Sequence, residues 1–342
     1  MASDVVAVIG ACAPERLRHA KRVAAMTSRD FVPATRLAGS PNPAEEGTAL
    51  ATWGGNPRGA VVEFPLEATV TDIIGALADA DNSTRLLGVV CVVDAAHLMA
   101  DLGCDDYLPL RDTVTGIAAP LIARAQLTVT QLEFASTVVF VNWRGIPTEE
   151  LATIMALVSH LGPRARLRLE GETLELLQSI EEYAIEQDRA GWMCVLNGDF
   201  DPHMTDRRVS AIRYEQVRPL HPSRLARLLD DRIEPGEFGQ VVRSVGFCRL
   251  ATRAHVVARW EHVGRVISFD PVAVDAGLDA DDELLAVGQE LAFIGIDLDA
   301  PGLTRALDDA SLSDAELAAG PAAWAAFPDP FPRWATVGDR SE

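Results

Sequence analysis

Asp199, Asp201, His203 and Asp206 fall within eight positions and offer three carboxylates and an imidazole, a donor set suited to a divalent cation. His97, Cys104, Asp105 and Asp106 form a second group beyond the end of an apolar run, with a thiol added to the same chemistry. Aspartates in such spacing also build solvated turns, and the turn is the preferred reading for both groups. Zinc chemistry built from neighbouring thiolates is not expected, since Cys12, Cys91, Cys104, Cys194 and Cys248 lie far apart and form no CxxC or CxC pair. No Ser/His/Asp or Cys/His arrangement is recognisable.

Phosphate chemistry would belong at the N-terminus. The run VVAVIG (5 to 10) reads as a buried strand, and Pro14 opens a helical pattern that reaches about Met26. A glycine turn between strand and helix is the place for a phosphate-binding loop. The pattern G-x-x-x-x-G-K-[ST], anchored on Gly10, needs Gly, Lys and Ser or Thr at positions 15, 16 and 17, where this chain has Glu15, Arg16 and Leu17. Glu15 places negative charge where phosphates would lie, and Leu17 has no oxygen for Mg²⁺. Lys21 is the sole lysine of the chain. Nucleotide binding and hydrolysis are therefore expected to be lost.

The elements that would position these groups are legible in outline. The chain has 342 residues, 48% of them hydrophobic and 23% charged, which fits a globular protein of two domains. LLGVVCVVDA (86 to 95) and TVVFVN (137 to 142) are strands as apolar as the first, separated by a long helical pattern through IAAPLIARAQLTVTQLEFA. Such strands alternating with helices predict a parallel sheet covered on both faces. AGSPNPAEEG (38 to 47) reads as a loop, while PTEELATIMALVSHL and EGETLELLQSIEEYAIEQ read as helices. The polar stretch 196 to 208 marks a boundary. Beyond it, the strands VSAIRYEQV, VVRSVGFCRLAT, HVVARWEHV and ELAFIGIDL, with helices opened by Pro222 and at PGLTRALDDA, predict an antiparallel α+β domain. The expected division is 1 to 200, 207 to 320, and an aromatic, proline-rich tail from 321 to 342.

The net charge of -20 disfavours free nucleic acid and anionic membrane as partners. Between Asp206 and Arg265, however, 12 arginines face 7 acidic residues, either as one patch or scattered over several faces. No apolar run approaches the roughly 20 residues of a membrane helix, and Asp4 stands where a signal peptide would be basic. The expected location is the cytoplasm.

Several stretches resemble the CobW-type metallochaperone GTPases. Arg218, Pro219, Leu220, His221 and Pro222 are similar to that family's Arg-Pro-aromatic-His-Pro turn, VVRSVGFCRLATR to its Arg-x-x-Gly strand, and ELAFIGIDLD to its late strand ending in Asp-x-Asp. VCVVDAAHL (90 to 98), QLEFASTVVFVN (131 to 142) and GPRARLR (162 to 168) resemble segments of its first domain. The fold this implies is a degenerate P-loop-NTPase-like parallel-sheet domain followed by a smaller α+β CobW C-terminal domain. In the family, the strand at 137 to 142 ends in Asn-Lys-x-Asp, which holds and reads the guanine base; here it ends in Asn142, Trp143, Arg144 and Gly145. Trp143 then reads as a stacking platform or as a plug in the base's place. The family's Cys-x-Cys-Cys motif would fall within 60 to 77, which holds no cysteine, and its Glu-Thr-Thr-Gly segment has no counterpart between Ala76 and Leu86.

The resemblance extends to a degenerate actinobacterial branch without the phosphate loop, associated with zinc limitation and with recruiting a hibernation factor to ribosomes. It implies a non-enzymatic binding or recruitment factor, with a protein partner that is the ribosome or the hibernation factor. The contact residues nominated for that partner are Arg218, His221, Arg224, Arg227, Arg243, Arg249, Trp324 and Trp334. His221 between two prolines is also expected to hold its turn through a hydrogen bond to backbone. No cofactor is expected, with zinc left as the open alternative. The competing functions are a GTP-dependent zinc metallochaperone using Arg16 in place of lysine, and a regulator binding a small molecule or metal in the vacated cleft.

Overall fold

A computed structural model describes residues 2 to 79, 81 to 109, 121 to 171, 183 to 184, 188 to 275 and 288 to 334. Two units are formed: Met1–Cys194 with Phe200–Asp206, and Val195–Asp199 with Arg207–Glu342.

The first unit contains β1 (Ser3–Ile9), β2 (Asp30–Val32), β3 (Ala60–Glu63), β4 (Thr84–Asp94), β5 (Tyr107–Pro109), β6 (Leu121–Ala123), β7 (Thr137–Val141) and β8 (Arg166–Leu169). Six of these form one sheet in the order β2-β3-β1-β4-β7-β8, every pair parallel. Valine-rich β1, β4 and β7 are buried almost throughout, as strands covered on both faces must be. The helix α1 (Ala13–Thr27) follows β1 with Pro14 in its first turn, and ends where Ser28 enters the left-handed region at φ 53°.

Three features depart from the expectations. Residues 38 to 47 are not all loop, because Pro43–Trp53 is a helix whose first turn is capped by Asn42 accepting from the Glu45 amide. Asn and Pro are turn formers, but in this order they also start helices. The short strands β2, β3 and β8 were not foreseen. The long pattern before β7 yields only one helix, Arg124–Phe134, since Leu121–Ala123 instead pairs antiparallel with β5; its residues 117 to 120, like most of EGETLELLQSIEEYAIEQ, lie outside the described residues.

The second unit holds β9 (Val209–Gln216), β10 (Gln240–Cys248), β11 (Val256–Val263), β12 (Val266–Val274) and β13 (Gln289–Ile296) in the order β12-β11-β10-β13-β9, all antiparallel. The sequence indicated four of these. Gly264, at φ 57°, turns the chain tightly between β11 and β12 and so divides one apolar stretch into a hairpin. Helices Pro222–Leu228 and Ala300–Ala310 bury Leu225, Leu228, Leu303 and Leu307 with Trp260 and Phe293 in one core. After them, a helix Asp314–Ala319 begins with a capping box formed by Ser313 and Glu316, and a short helical turn, Pro321–Trp324, leads into irregular chain. The fold is thus a parallel α/β unit followed by a smaller antiparallel α+β unit. Among the described residues, no helix is long and apolar enough to cross a membrane.

Candidate functional site

In the first unit, the carboxyl ends of β1, β4 and β7 meet where an open α/β sheet binds its ligand. Arg16, in the first turns of α1, stands at the position a phosphate-binding lysine would take. Its guanidinium points into the protein: one nitrogen donates to the Gly10 carbonyl oxygen, and Nε donates to Glu63 Oε1 at 3.2 Å. Glu63, the last residue of β3, also accepts the Ala34 amide at 3.1 Å. Arg16 and Glu63 are 4% and 3% exposed, so the pair is closed off from solvent and from any ligand outside.

The strand ends beside it are tied to one another. Asp94, closing β4, accepts from Asn142 Nδ2 and from His97 Nδ1, both at 2.9 Å, and from the Ala96 amide at 3.0 Å. Burial works to raise the Asp94 carboxyl, but the bonds from His97, Asn142 and Ala96 outweigh it and hold the group below the usual carboxylate range. The same bond raises exposed His97. Asn142 adopts a left-handed conformation, φ 56°, to reach Asp94, and Trp143 follows in a single 3-10 turn. The Trp143 ring is half-buried, donates its indole N–H to the Glu170 carbonyl at 3.3 Å, and carries the Arg144 guanidinium 5.2 Å from its centroid. This links the indole to the residue that follows β8.

Acidic side chains dominate the remaining rim. The Cys12 thiol is pushed up by burial and by the charges of Asp101, Asp94 and Glu15, with Arg124 opposing. Arg124 is paired with Asp101 at 3.3 Å. A cavity of about 1110 Å³ lies elsewhere in this unit, beside helices Pro43–Trp53 and Val70–Ala78. Glu45, Glu67, Asp72, Asp79 and Asp81 line it, and no cationic side chain does.

Neither proposed metal group assembles. Among the described residues, no three His, Cys, Asp or Glu side chains converge in a way that could hold a metal ion. His203 Nδ1 lies 3.2 Å from both Ser159 Oγ and the Pro163 carbonyl, and Asp206 accepts from Thr153 Oγ1 at 3.2 Å. Those contacts fasten the segment Phe200–Asp206 to helix Thr148–Leu161.

In the second unit, the arginine-rich region is not an unpaired basic surface. At least nine of its 12 arginines form ion pairs within this unit. Five of the carboxylates involved, Asp275, Glu290, Asp314, Glu316 and Asp329, come from later in the chain, which a count over Asp206 to Arg265 misses. Arg243 must be withdrawn as a contact residue, being fully buried with Glu261 at 2.9 Å. Arg249, 5% exposed and forked onto Asp275 at 2.7 and 2.9 Å, must be withdrawn for the same reason.

The remaining nominees keep some exposure, and all but Arg227 take part in contacts with or within residues 308 to 334. Arg218 donates to Asp314, and Arg224 grips both oxygens of Glu316 at 2.8 and 2.7 Å. The Trp324 indole donates to the Glu316 carbonyl and the Trp334 indole to the Phe269 carbonyl, at 2.6 and 2.7 Å. The His221 main-chain amide donates to the Ala310 carbonyl, but the ring bond to backbone expected of it is not seen at Nδ1, which has no hydrogen-bond partner among the described residues; the ring stacks on Phe327 at 4.5 Å. Burial, helped by the charge of Arg224, keeps that imidazole below the usual histidine range. Arg227 is exposed, with its Nε directed to the Ser223 carbonyl at 3.3 Å.

Sequence reasoning missed the Arg16–Glu63 pair and the anchors Thr252, Arg253 and Phe327. A signal existed for the first: a glutamate ending an otherwise apolar strand, AVVE, needs a buried partner.

The fold is a parallel α/β unit with an inward-turned cation at its first strand–helix turn, followed by an antiparallel α+β unit. The model of the cobalamin synthesis protein CobW C-terminal domain matches residues 209–311. That match covers most of the strands and helices of the second unit. The chain is 25% identical over 294 residues to the zinc-regulated GTPase metalloprotein activator 1 of Dictyostelium discoideum, a match spanning 78% of this chain and 61% of that relative. The Zn(II)-bound YjiA GTPase from E. coli resembles it with 12% identity and a TM-score of 0.40, covering 91% of this chain and all of that one, a likeness too distant to bear on function.

Proposed function

We propose that this chain is a non-enzymatic CobW-type protein that works by binding other macromolecules, and that it brings a hibernation factor to the ribosome under zinc limitation, as in the degenerate actinobacterial branch it resembles. The observation that supports a binding role is the fate of Arg16. A phosphate site needs cations and amide donors facing outward. Here the one cation at the right position lies in a buried pair with Glu63, behind a rim carrying Glu15, Asp94 and Asp101. Base recognition has lost its aspartate, and Asn142 is engaged with Asp94.

Titration calorimetry with GTP and Mg²⁺ tests this directly, with no binding expected up to millimolar nucleotide. Micromolar binding would instead favour a GTP-dependent zinc metallochaperone, the reading that the name of the Dictyostelium relative supports. Co-sedimentation with ribosomes, with and without the hibernation factor, tests the recruitment role; absence from both pellets would refute it.

A further inference from the structure

The C-terminal segment of the second unit is seated like a bound peptide. From Phe327 to Phe331 its residues alternate: Phe327, Asp329 and Phe331 are half-buried, while Pro328 and Pro330 are exposed. Pro332 and Arg333 are exposed, and Trp334 is half-buried again. Prolines at every second position hold a chain extended at low entropic cost, and a two-residue alternation is how extended peptides present side chains to a groove.

Each seated side chain meets a matching group. Phe327 stacks on His221 at 4.5 Å with the rings 19° apart. The Asp329 carboxylate accepts from Thr252 Oγ1 and from Arg253 Nη2, the latter at 2.7 Å. Phe331 meets Phe269 edge-on at 4.8 Å. The Arg253 guanidinium lies 4.1 Å from the centroid of the Trp334 ring.

The main-chain contacts are also of the recognition kind. Ser223 Oγ donates to the Pro328 carbonyl at 2.7 Å, Arg253 Nη1 to the Pro332 carbonyl at 2.9 Å, and the Trp334 indole to the Phe269 carbonyl at 2.7 Å. Among the described residues, no backbone-to-backbone bond ties Pro328–Trp334 to the rest of the unit. A segment held by side chains alone, with half of its residues in solvent, opens at a fraction of the free energy of global unfolding.

We propose that the groove formed by His221, Ser223, Thr252, Arg253 and Phe269 is a peptide-recognition site, occupied in cis by Phe327–Trp334. Its partner is a protein segment of the same chemistry: an extended, proline-spaced stretch with a carboxylate between two aromatic residues. The cis segment competes at an effective concentration on the order of millimolar, so the partner gains access only as the segment lifts. This inference rests on the second unit's contacts and is independent of the ribosome reading.

The test uses the full chain and a fluorescein-labelled peptide of residues 325 to 334, followed by anisotropy. The double variant Phe327→Ala/Asp329→Ala, with its own segment loosened, is expected to bind the peptide at least 10-fold tighter than wild type. Adding Arg253→Ala, or replacing the peptide's aspartate with alanine, is expected to abolish that gain. No binding by a double variant with wild-type circular dichroism, or binding indifferent to the aspartate, overturns the proposal. A concentration-dependent dimer of the wild-type chain that the unlabelled peptide dissociates would assign the groove to the tail of a second copy and overturn the partner reading. Should the double variant fail to fold, hydrogen exchange on wild type decides: amides at 220 to 225 and 251 to 254 that gain protection with added peptide support the site, and unchanged protection at saturating peptide refutes it.

Discussion

Both units turn arginines toward their own carboxylates, but at different depths. In the first unit, Arg16 and Glu63 are enclosed and face each other out of reach of solvent. In the second, Arg218–Asp314 and Arg224–Glu316 lie partly in solvent and hold the start of the helix Asp314–Ala319. A buried ion pair is costly to break because each charge left alone faces the full desolvation penalty, whereas an exposed one contributes roughly 1 kcal/mol or less. The contrast separates a charge pair enclosed in a core from charge pairs that keep contact with solvent.

That comparison predicts its largest effect at Glu63. Glu63→Ala should lower stability by about 3–5 kcal/mol in urea denaturation, since it strands Arg16 in the core. The double change Arg16→Met/Glu63→Leu should recover most of that loss. A Glu63→Ala cost below about 1 kcal/mol would mean that the pocket is wetter than the geometry indicates.

Acid should weaken both units through one histidine each. Burial, reinforced by Arg22 for His19 and by Arg243 for His262, depresses both imidazoles to about 4 in the folded chain, against about 6.5 when unfolded. Because the folded values lie lower, the stabilisation is complete above pH 6.5 and declines as the pH falls toward 4. Each group should contribute a loss of about 2–3 kcal/mol by pH 4.5. Urea denaturation at pH 7.5 and 4.5 measures this, and His262→Gln or His19→Gln should flatten the dependence for its own unit.

A smaller effect is expected from Phe327→Ala, which removes the stack on His221 and should cost about 1 kcal/mol. It should speed hydrogen exchange near residues 220 to 225 while leaving the first unit unchanged. Smallest of all is Glu234→Gln, which breaks the exposed pair with Arg265 at 3.1 Å and should shift stability by less than about 0.5 kcal/mol. If it matched Phe327→Ala, depth would not be the discriminating variable.

The backbone of the fold was readable because β1, β4 and β7 are apolar runs whose burial is set locally. Short β2, β3 and β8 were not, because three or four residues carry no period and take their strand character from the neighbours they pair with. The altered cleft was half legible. Glu15, Arg16, Leu17 and Trp143 stood out against the expected pattern, but where Arg16 goes depends on Glu63, 47 residues away. The arginine-rich stretch misled for the same reason, since its carboxylates arrive from Asp275 to Asp329. Charge over a window describes a chain; charge over a surface requires the fold.

Gly10 carries one more consequence. Its backbone sits at φ 147°, and a side chain there would place its first carbon 2.2 Å from the Val92 carbonyl oxygen. The glycine is therefore demanded by the neighbouring strand whether or not a phosphate ever lies above it. A glycine after a first strand is thus a sign of close packing before it is a sign of what a protein binds.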